Sequence, residues 1–135
     1  MLGVNPYIAF KGTCREAIEF YRSALGAEVL FSQTYGDSPM SGMGTAGHIM
    51  HCTIKVGDST IMLCDDPRPE SAPAGGNISL AIGLNDPERA SQLFQNLAEG
   101  GTVIMPIAKT FWAEAFGMLT DKFGIKWMVN CEAAK

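Results

Sequence analysis

Two histidines, one carboxylate set among aromatic rings and four cysteines are the residues of this chain best equipped to move a proton, hold a metal or attack a carbonyl. His51 opens the run His51-Cys52-Thr53-Ile54-Lys55-Val56. Strand alternation gives that run one apolar face (Cys52, Ile54, Val56) and one polar face (His51, Thr53, Lys55). His51 is thereby a candidate hydrogen-bonding or proton-transfer group. His48 stands three places earlier, a spacing that points two strand side chains to opposite faces, so the pair cannot chelate one metal unless His48 lies in the loop, and His48 is read as solvated loop. Glu114 lies in Thr110-Phe111-Trp112-Ala113-Glu114-Ala115-Phe116. A carboxylate desolvated by such neighbours gains the raised pKa that proton abstraction needs, the alternative being a rim glutamate that faces water.

Other chemistries have weaker signals. Cys14, Cys52, Cys64 and Cys131 form no C-x-x-C pair and read as reduced, buried, small apolar residues. Cys52 points away from its neighbour His51, and no G-x-S-x-G is present, so neither a cysteine nor a serine nucleophile is supported. Gly42-Met43-Gly44-Thr45-Ala46-Gly47 matches G-x-G-x-x-G, with Asp65 and Asp66 further on. A dinucleotide fingerprint needs a helix after it, whereas a strand pattern follows, so this is read as a glycine loop. Met62 and Met128 line a ligand cavity or fill core gaps. Asp121-Lys122-Phe123-Gly124 reads as a turn.

The elements that position these residues follow from periodicity and punctuation. Pro6–Phe10 reads as a strand, and Cys14–Ala24 as a helix with Thr13 as N-cap, Ala17, Phe20, Tyr21 and Leu25 inside, and Gly26 as the stop. Glu28–Thr34 is a strand, Tyr35–Gly47 a long loop, and Ile49–Val56 with Ser59–Cys64 a hairpin about Gly57-Asp58. After a proline-rich connection the pattern returns. Asn77–Leu84 reads as a strand, Asp86–Ala98 as a helix with Asp86 as N-cap and Pro87 at its first position, and Thr102–Met105, Ala115–Thr120 and Lys126–Asn130 as strands.

The two halves overlay. Asn5–Phe10 faces Asn77–Ile82, and Ala17–Tyr21 faces Ala90–Phe94, each followed by a glycine stop and a Val/Ile strand. The expectation is two copies of one strand–helix–strands unit, roughly 1–66 and 76–131, in a single domain spanning 1–135. One helix covers one face of each sheet, and the other face, mixed and modest in residue size, suits a ligand.

Composition sets limits. At 135 residues, 47% hydrophobic and 18% charged, the chain is globular and large enough for one core. Ten scattered basic residues in a net charge of −4 exclude a phosphate-tracking stripe, hence no nucleic-acid partner. No apolar run reaches a membrane span, and the first residues lack the signature of a secretory leader, so a cytoplasmic location is expected.

Several of these motifs resemble one family. Asn5–Phe10, Ala17–Tyr21 with Leu25-Gly26-Ala27, His51 leading into Gly57–Leu63, and the closing Thr110-Phe111-Trp112, Phe116-Gly117 and Thr120–Met128 are similar to PhnB-like proteins of the glyoxalase/bleomycin-resistance/extradiol-dioxygenase (vicinal oxygen chelate) superfamily. The resemblance implies an α+β fold of two paired βαβββ modules, with curled mixed sheets around a small-molecule cavity, usually in a homodimer. Metal-dependent relatives hold their ion with His and Glu from the first and fourth strands of each module, positions that carry over here to Asn5, Met62, Asn77 and Met128. Two amides and two thioethers suit a hard or borderline divalent ion poorly, so no metal and no cofactor are expected. A methyltransferase label also occurs among such proteins, but no glycine-rich strand–helix turn is present to hold a methyl donor. The expected function is binding, with or without transformation, of a small metabolite in a metal-free cavity, with His51 or Glu114 as base and Tyr7, Met62, Phe111, Trp112 and Met128 as ligand contacts. Sequestration without catalysis, and metal-dependent lyase or dioxygenase chemistry, are the alternatives.

Overall fold

Alternating apolar residues and well-placed caps produce two copies of one topology. The computed structural model describes residues 3–38, 42, 44–67 and 78–132. The chain divides into two compact units, Met1–Ala72 and Pro73–Lys135. The first unit contains β1 (Tyr7–Phe10), α1 (Cys14–Leu25), β2 (Glu28–Thr34), β3 (Ile49–Val56) and β4 (Ser59–Asp65). The second contains β5 (Leu80–Leu84), α2 (Pro87–Ala98), β6 (Thr102–Ala108), β7 (Ala115–Thr120) and β8 (Lys126–Cys131). Each unit is a four-stranded mixed sheet, ordered β1-β4-β3-β2 and β5-β8-β7-β6. The first and fourth strands of each are parallel neighbours and the remaining pairs antiparallel. This is the α+β, twice-βαβββ architecture that the family resemblance implies, with the duplication that the repeated pattern indicates.

In the first unit α1 lies on β3 and β4. Its inner face is Cys14, Ala17, Ile18, Tyr21, Ala24 and Leu25, at the spacing of an amphipathic helix. Phe20, expected inside, is only half-buried, and Ile18 takes the inner place. Gly26 ends the helix in the left-handed conformation (φ 69°), its N–H donating to the Arg22 carbonyl oxygen. The other end departs from expectation, because Thr13 makes no side-chain cap. The cap comes from the far end of β4. Asp65 is 2% exposed, and its Oδ1 accepts from Gly12 N (2.9 Å) and Cys14 N (3.0 Å) while Oδ2 accepts from Ile49 N (2.9 Å). One buried carboxylate therefore joins the helix start, the β4 end and the β3 start, and its charge suits the positive end of the helix dipole.

In the second unit Asp86 caps α2 as expected, accepting from Glu88 N and Arg89 N, with Pro87 next. Ala90, Leu93, Phe94 and Leu97 form the inner face. Gly117 lets α2 approach β7: a Cβ there would sit 2.6 Å from the Phe94 ring and 3.0 Å from the Ile107 backbone. Asp121, 3% exposed, holds the turn into β8 by accepting from Phe123 N, Ile125 N and the Trp127 indole N–H. It is a structural aspartate, as its place in a turn suggests. β6 runs three residues beyond the expected end, through Pro106 to Ala108. It is an edge strand, where a missing N–H costs no ladder bond. β5 starts at Leu80, and Asn77, the expected strand start, lies outside the described residues.

Candidate functional site

Strand alternation sorts each sheet into a helix face and a helix-free face. In the first unit Phe10, Cys52, Ile54, Ile61 and Leu63 are buried. Their neighbours of opposite parity occupy the other face. Register places Tyr7, Met62, Thr53 and Phe31 in one row across all four strands. Two residues along β3 and β4 the same face carries His51 and Cys64.

These side chains form a connected polar group. Tyr7 Oη lies 3.3 Å from His51 Nδ1, and His51 Nε2 lies 3.1 Å from Thr53 Oγ1. The Tyr7 and His51 rings meet edge-on at 5.6 Å, and Phe31 leans on the imidazole from 6.1 Å. A neutral imidazole has one donor and one acceptor nitrogen, so His51 accepts from one hydroxyl and donates to the other. Burial of the phenol end, and then the Cys64 thiol hydrogen-bonded to it, push the Tyr7 pKa up to about 12. Tyr7 is therefore an un-ionised hydroxyl at neutral pH, even though the residue as a whole is 54% exposed. A tautomer exchange at His51 would carry a proton between the Tyr7 and Thr53 ends of this chain.

The helix-free face of the second unit has different chemistry. Ala81, Met128, Met118 and Met105 share one row, and Gly83, Asn130 and Phe116 the next. Trp112 packs edge-on against Phe116 (5.4 Å) and Phe111 against Trp112 (4.7 Å). Thr110 holds this aromatic turn, its Oγ1 accepting from Trp112 N and Ala113 N. Glu114 is half-buried at the head of β7, its N–H bonded to the Cys131 carbonyl oxygen (2.9 Å).

Of the expected site residues, Tyr7, His51 and Met62 come together in the first unit, and Phe111 and Trp112 in the second. Met128 stands in the second sheet's thioether row, and Glu114 immediately precedes β7. His48 does not approach this face group, because it sits over Gly12, 3.4 Å from where a Cβ would be. The glycine loop has a packing reason: a Cβ on Gly44 would lie 2.9 Å from the Tyr35 ring. The cysteines are free, and burial pushes the Cys14, Cys52 and Cys131 thiols up, away from thiolate reactivity. Sequence reasoning missed Asn130, which the alternation of β8 places on the same face as Met128.

The register also corrects the overlay of the halves. Phe10 pairs with Asp65 and its carbonyl accepts from Asp66 N, while Leu84 pairs with Cys131 and its carbonyl accepts from Glu132 N. Leu84 is thus the counterpart of Phe10, so β5 is set two residues later than the letters suggest. The counterpart of Asn5 becomes Ser79 instead of Asn77. The first- and fourth-strand positions are then Asn5, Met62, Ser79 and Met128, with the Asn5 amide oxygen already accepting from Thr60. A hydroxyl, an amide and two thioethers do not fit a divalent ion that prefers imidazole and carboxylate. Among the described residues no group of three or more His, Cys, Asp or Glu could hold a metal ion.

Two sheets of this topology, each carrying one helix, define a glyoxalase-type fold, and residues 3–129 match the model of the Glyoxalase/Bleomycin resistance protein/Dioxygenase superfamily. The chain belongs to that superfamily. It is 33% identical to protein YjdN of Escherichia coli K12 over 94% of this chain and 93% of YjdN. The crystal structure of protein PA1353 from Pseudomonas aeruginosa superposes with a TM-score of 0.91 at 39% identity, covering 99% of this chain and 100% of that one. A Bacillus cereus structure, described as a putative 3-demethylubiquinone-9 3-methyltransferase, PhnB protein, shares the fold with a TM-score of 0.83 at 24% identity, over 96% and 99% of the two chains. The expected membership of this superfamily is thereby upheld.

Proposed function

We propose that this chain binds a small organic metabolite on the helix-free faces of its sheets without a divalent metal at the superfamily's ligand positions. The observation that carries the reading is the Tyr7–His51–Thr53 chain. A hydrogen-bonded tyrosine and histidine, flanked by Phe31 and Met62, combine apolar contact with directed polar groups, which is the make-up of a small-molecule site. Where turnover occurs, His51 is the proton acceptor and Tyr7 the neutral donor, with Glu114 a second candidate base. Phe111 and Trp112, 96% and 51% exposed, offer rings for stacking, and they support the reading of a binder that sequesters its ligand. Met62 and Met128 supply adaptable thioether contacts.

A homodimer belongs to the same proposal. The edge strands β2 and β6 expose Leu30 and Phe31, and Val103, Ile104 and Met105, apolar surface that a second copy would cover. A cytoplasmic location accords with four free thiols. Among the described residues no helix is long and apolar enough to cross a membrane.

The test is a screen of neutral and cationic metabolites by tryptophan fluorescence, with product analysis on each ligand found. Saturable quenching abolished in Trp112→Phe, with product formation lost in His51→Gln, identifies an enzyme using this site. Binding without product identifies a sequestering protein. Absence of any ligand, or ligands bound only when a divalent metal is added, overturns the reading.

A further inference from the structure

We infer that Asn130 anchors a ligand subsite on the second unit, and that the subsite takes a flat aromatic molecule through an O–H or N–H donor. This rests on the small-molecule reading above and specifies the ligand chemistry at one end. Asn130 Oδ1 is closed to solvent and has no hydrogen-bond partner among the described residues. Buried acceptors in native proteins are nearly always satisfied, so an orphan on the helix-free face marks a missing donor.

The surroundings say what would bring that donor. On one side Asn130 is in register with Gly83, where a Cβ would meet nothing within 4 Å. On the other it is in register with Phe116, whose ring carries Trp112 edge-on. Open space, an unpaired amide oxygen and an aromatic wall lie side by side in one row. A planar ring fits the wall, and an attached hydroxyl or N–H satisfies the oxygen. An anionic group is disfavoured, because the group awaiting a partner is an acceptor. Entry requires a side chain to move, since the oxygen is shielded in the free chain. Met128, two residues along β8, and Met118 opposite it are unbranched, half-buried and able to do so.

The experiment uses the full chain and two probes with the same ring system, β-naphthol and its methyl ether, titrated by calorimetry. The expected result is a preference for the naphthol of about ten- to a hundred-fold, the worth of filling a buried orphan acceptor. In Asn130→Leu the two probes should bind alike, with affinity for the ether retained. Should that variant not fold, the side-chain amide resonances of Asn130 in the native chain provide the second readout, shifting with naphthol and not with the ether. Equal affinity for the two probes, a preference that survives in Asn130→Leu, or an unmoved Asn130 amide overturns the inference. Perturbation at Tyr7 and His51 with Asn130 silent defeats this subsite alone. No perturbation anywhere, together with an empty metabolite screen, defeats the wider reading as well.

Discussion

Replacing Asp65 separates two accounts of how the first unit is held, one by charge and one by geometry. Three backbone N–H groups, of Gly12, Cys14 and Ile49, end on this carboxylate, the first two on Oδ1 and the third on Oδ2. Alanine leaves all three without their acceptor. A buried unsatisfied donor costs about 1–3 kcal/mol, and Gly12 is exposed enough to turn to water, so the two remaining donors give an expected loss of about 2–6 kcal/mol. Asparagine keeps one oxygen for Gly12 and Cys14 but turns an NH2 toward the Ile49 N–H, which strands one donor for about 1–3 kcal/mol. Against a total stability on the order of 5–15 kcal/mol, alanine removes a large share and asparagine a modest one. The assay is urea denaturation followed by far-ultraviolet circular dichroism, since both tryptophans lie in the second unit. Hydrogen exchange at the three amides locates the effect. Equal losses for the two variants would refute the geometric argument in favour of charge alone, and losses below about 1 kcal/mol for both would refute the bonding network.

Three other outcomes follow from the same structure. In the native protein a thiol reagent should modify Cys64 and spare Cys14, Cys52 and Cys131, with all four reacting after denaturation. The phenol of Tyr7, read as the near-ultraviolet difference between the native chain and Tyr7→Phe, should ionise at about 12. Its folded pKa lies above the ordinary value of 10.0, so its contribution to stability is intact below pH 10.0 and is lost as pH rises toward 12. Cys64→Ala should bring that ionisation down. Gly117→Ala drives a methyl into Phe94 and the Ile107 backbone, and should lower stability by about 1–3 kcal/mol in thermal melts.

Much of the fold was legible because local signals agreed with one another. Period-two alternation gave the strand faces, Gly26 and Asp86 closed their helices by their own chemistry, and the repeated strand–helix order gave the duplication. What was not legible depends on pairings between distant residues. Thr13 has the right chemistry for an N-cap, yet it is Asp65 that accepts the first helical N–H, that of Cys14, once β1 and β4 pair, a contact across 51 positions. The two-residue offset of β5 is a register, which letters alone do not contain. Tyr7 and His51 were each identifiable, but their bond requires β4 to lie between β1 and β3. Asn130 looked like an ordinary strand-end polar residue, and only the lack of a partner among the described residues distinguishes it.

The most direct test of the account is an amide NMR map of the full chain against metabolite-sized compounds, recorded in metal-free buffer. The expected shifts gather on the helix-free faces, at Tyr7, His51, Thr53 and Met62 in the first unit and at Ala81, Gly83 and Met128 in the second. Shifts confined to the outer surfaces of α1 and α2, or binding that appears only when a divalent metal is added, would contradict it.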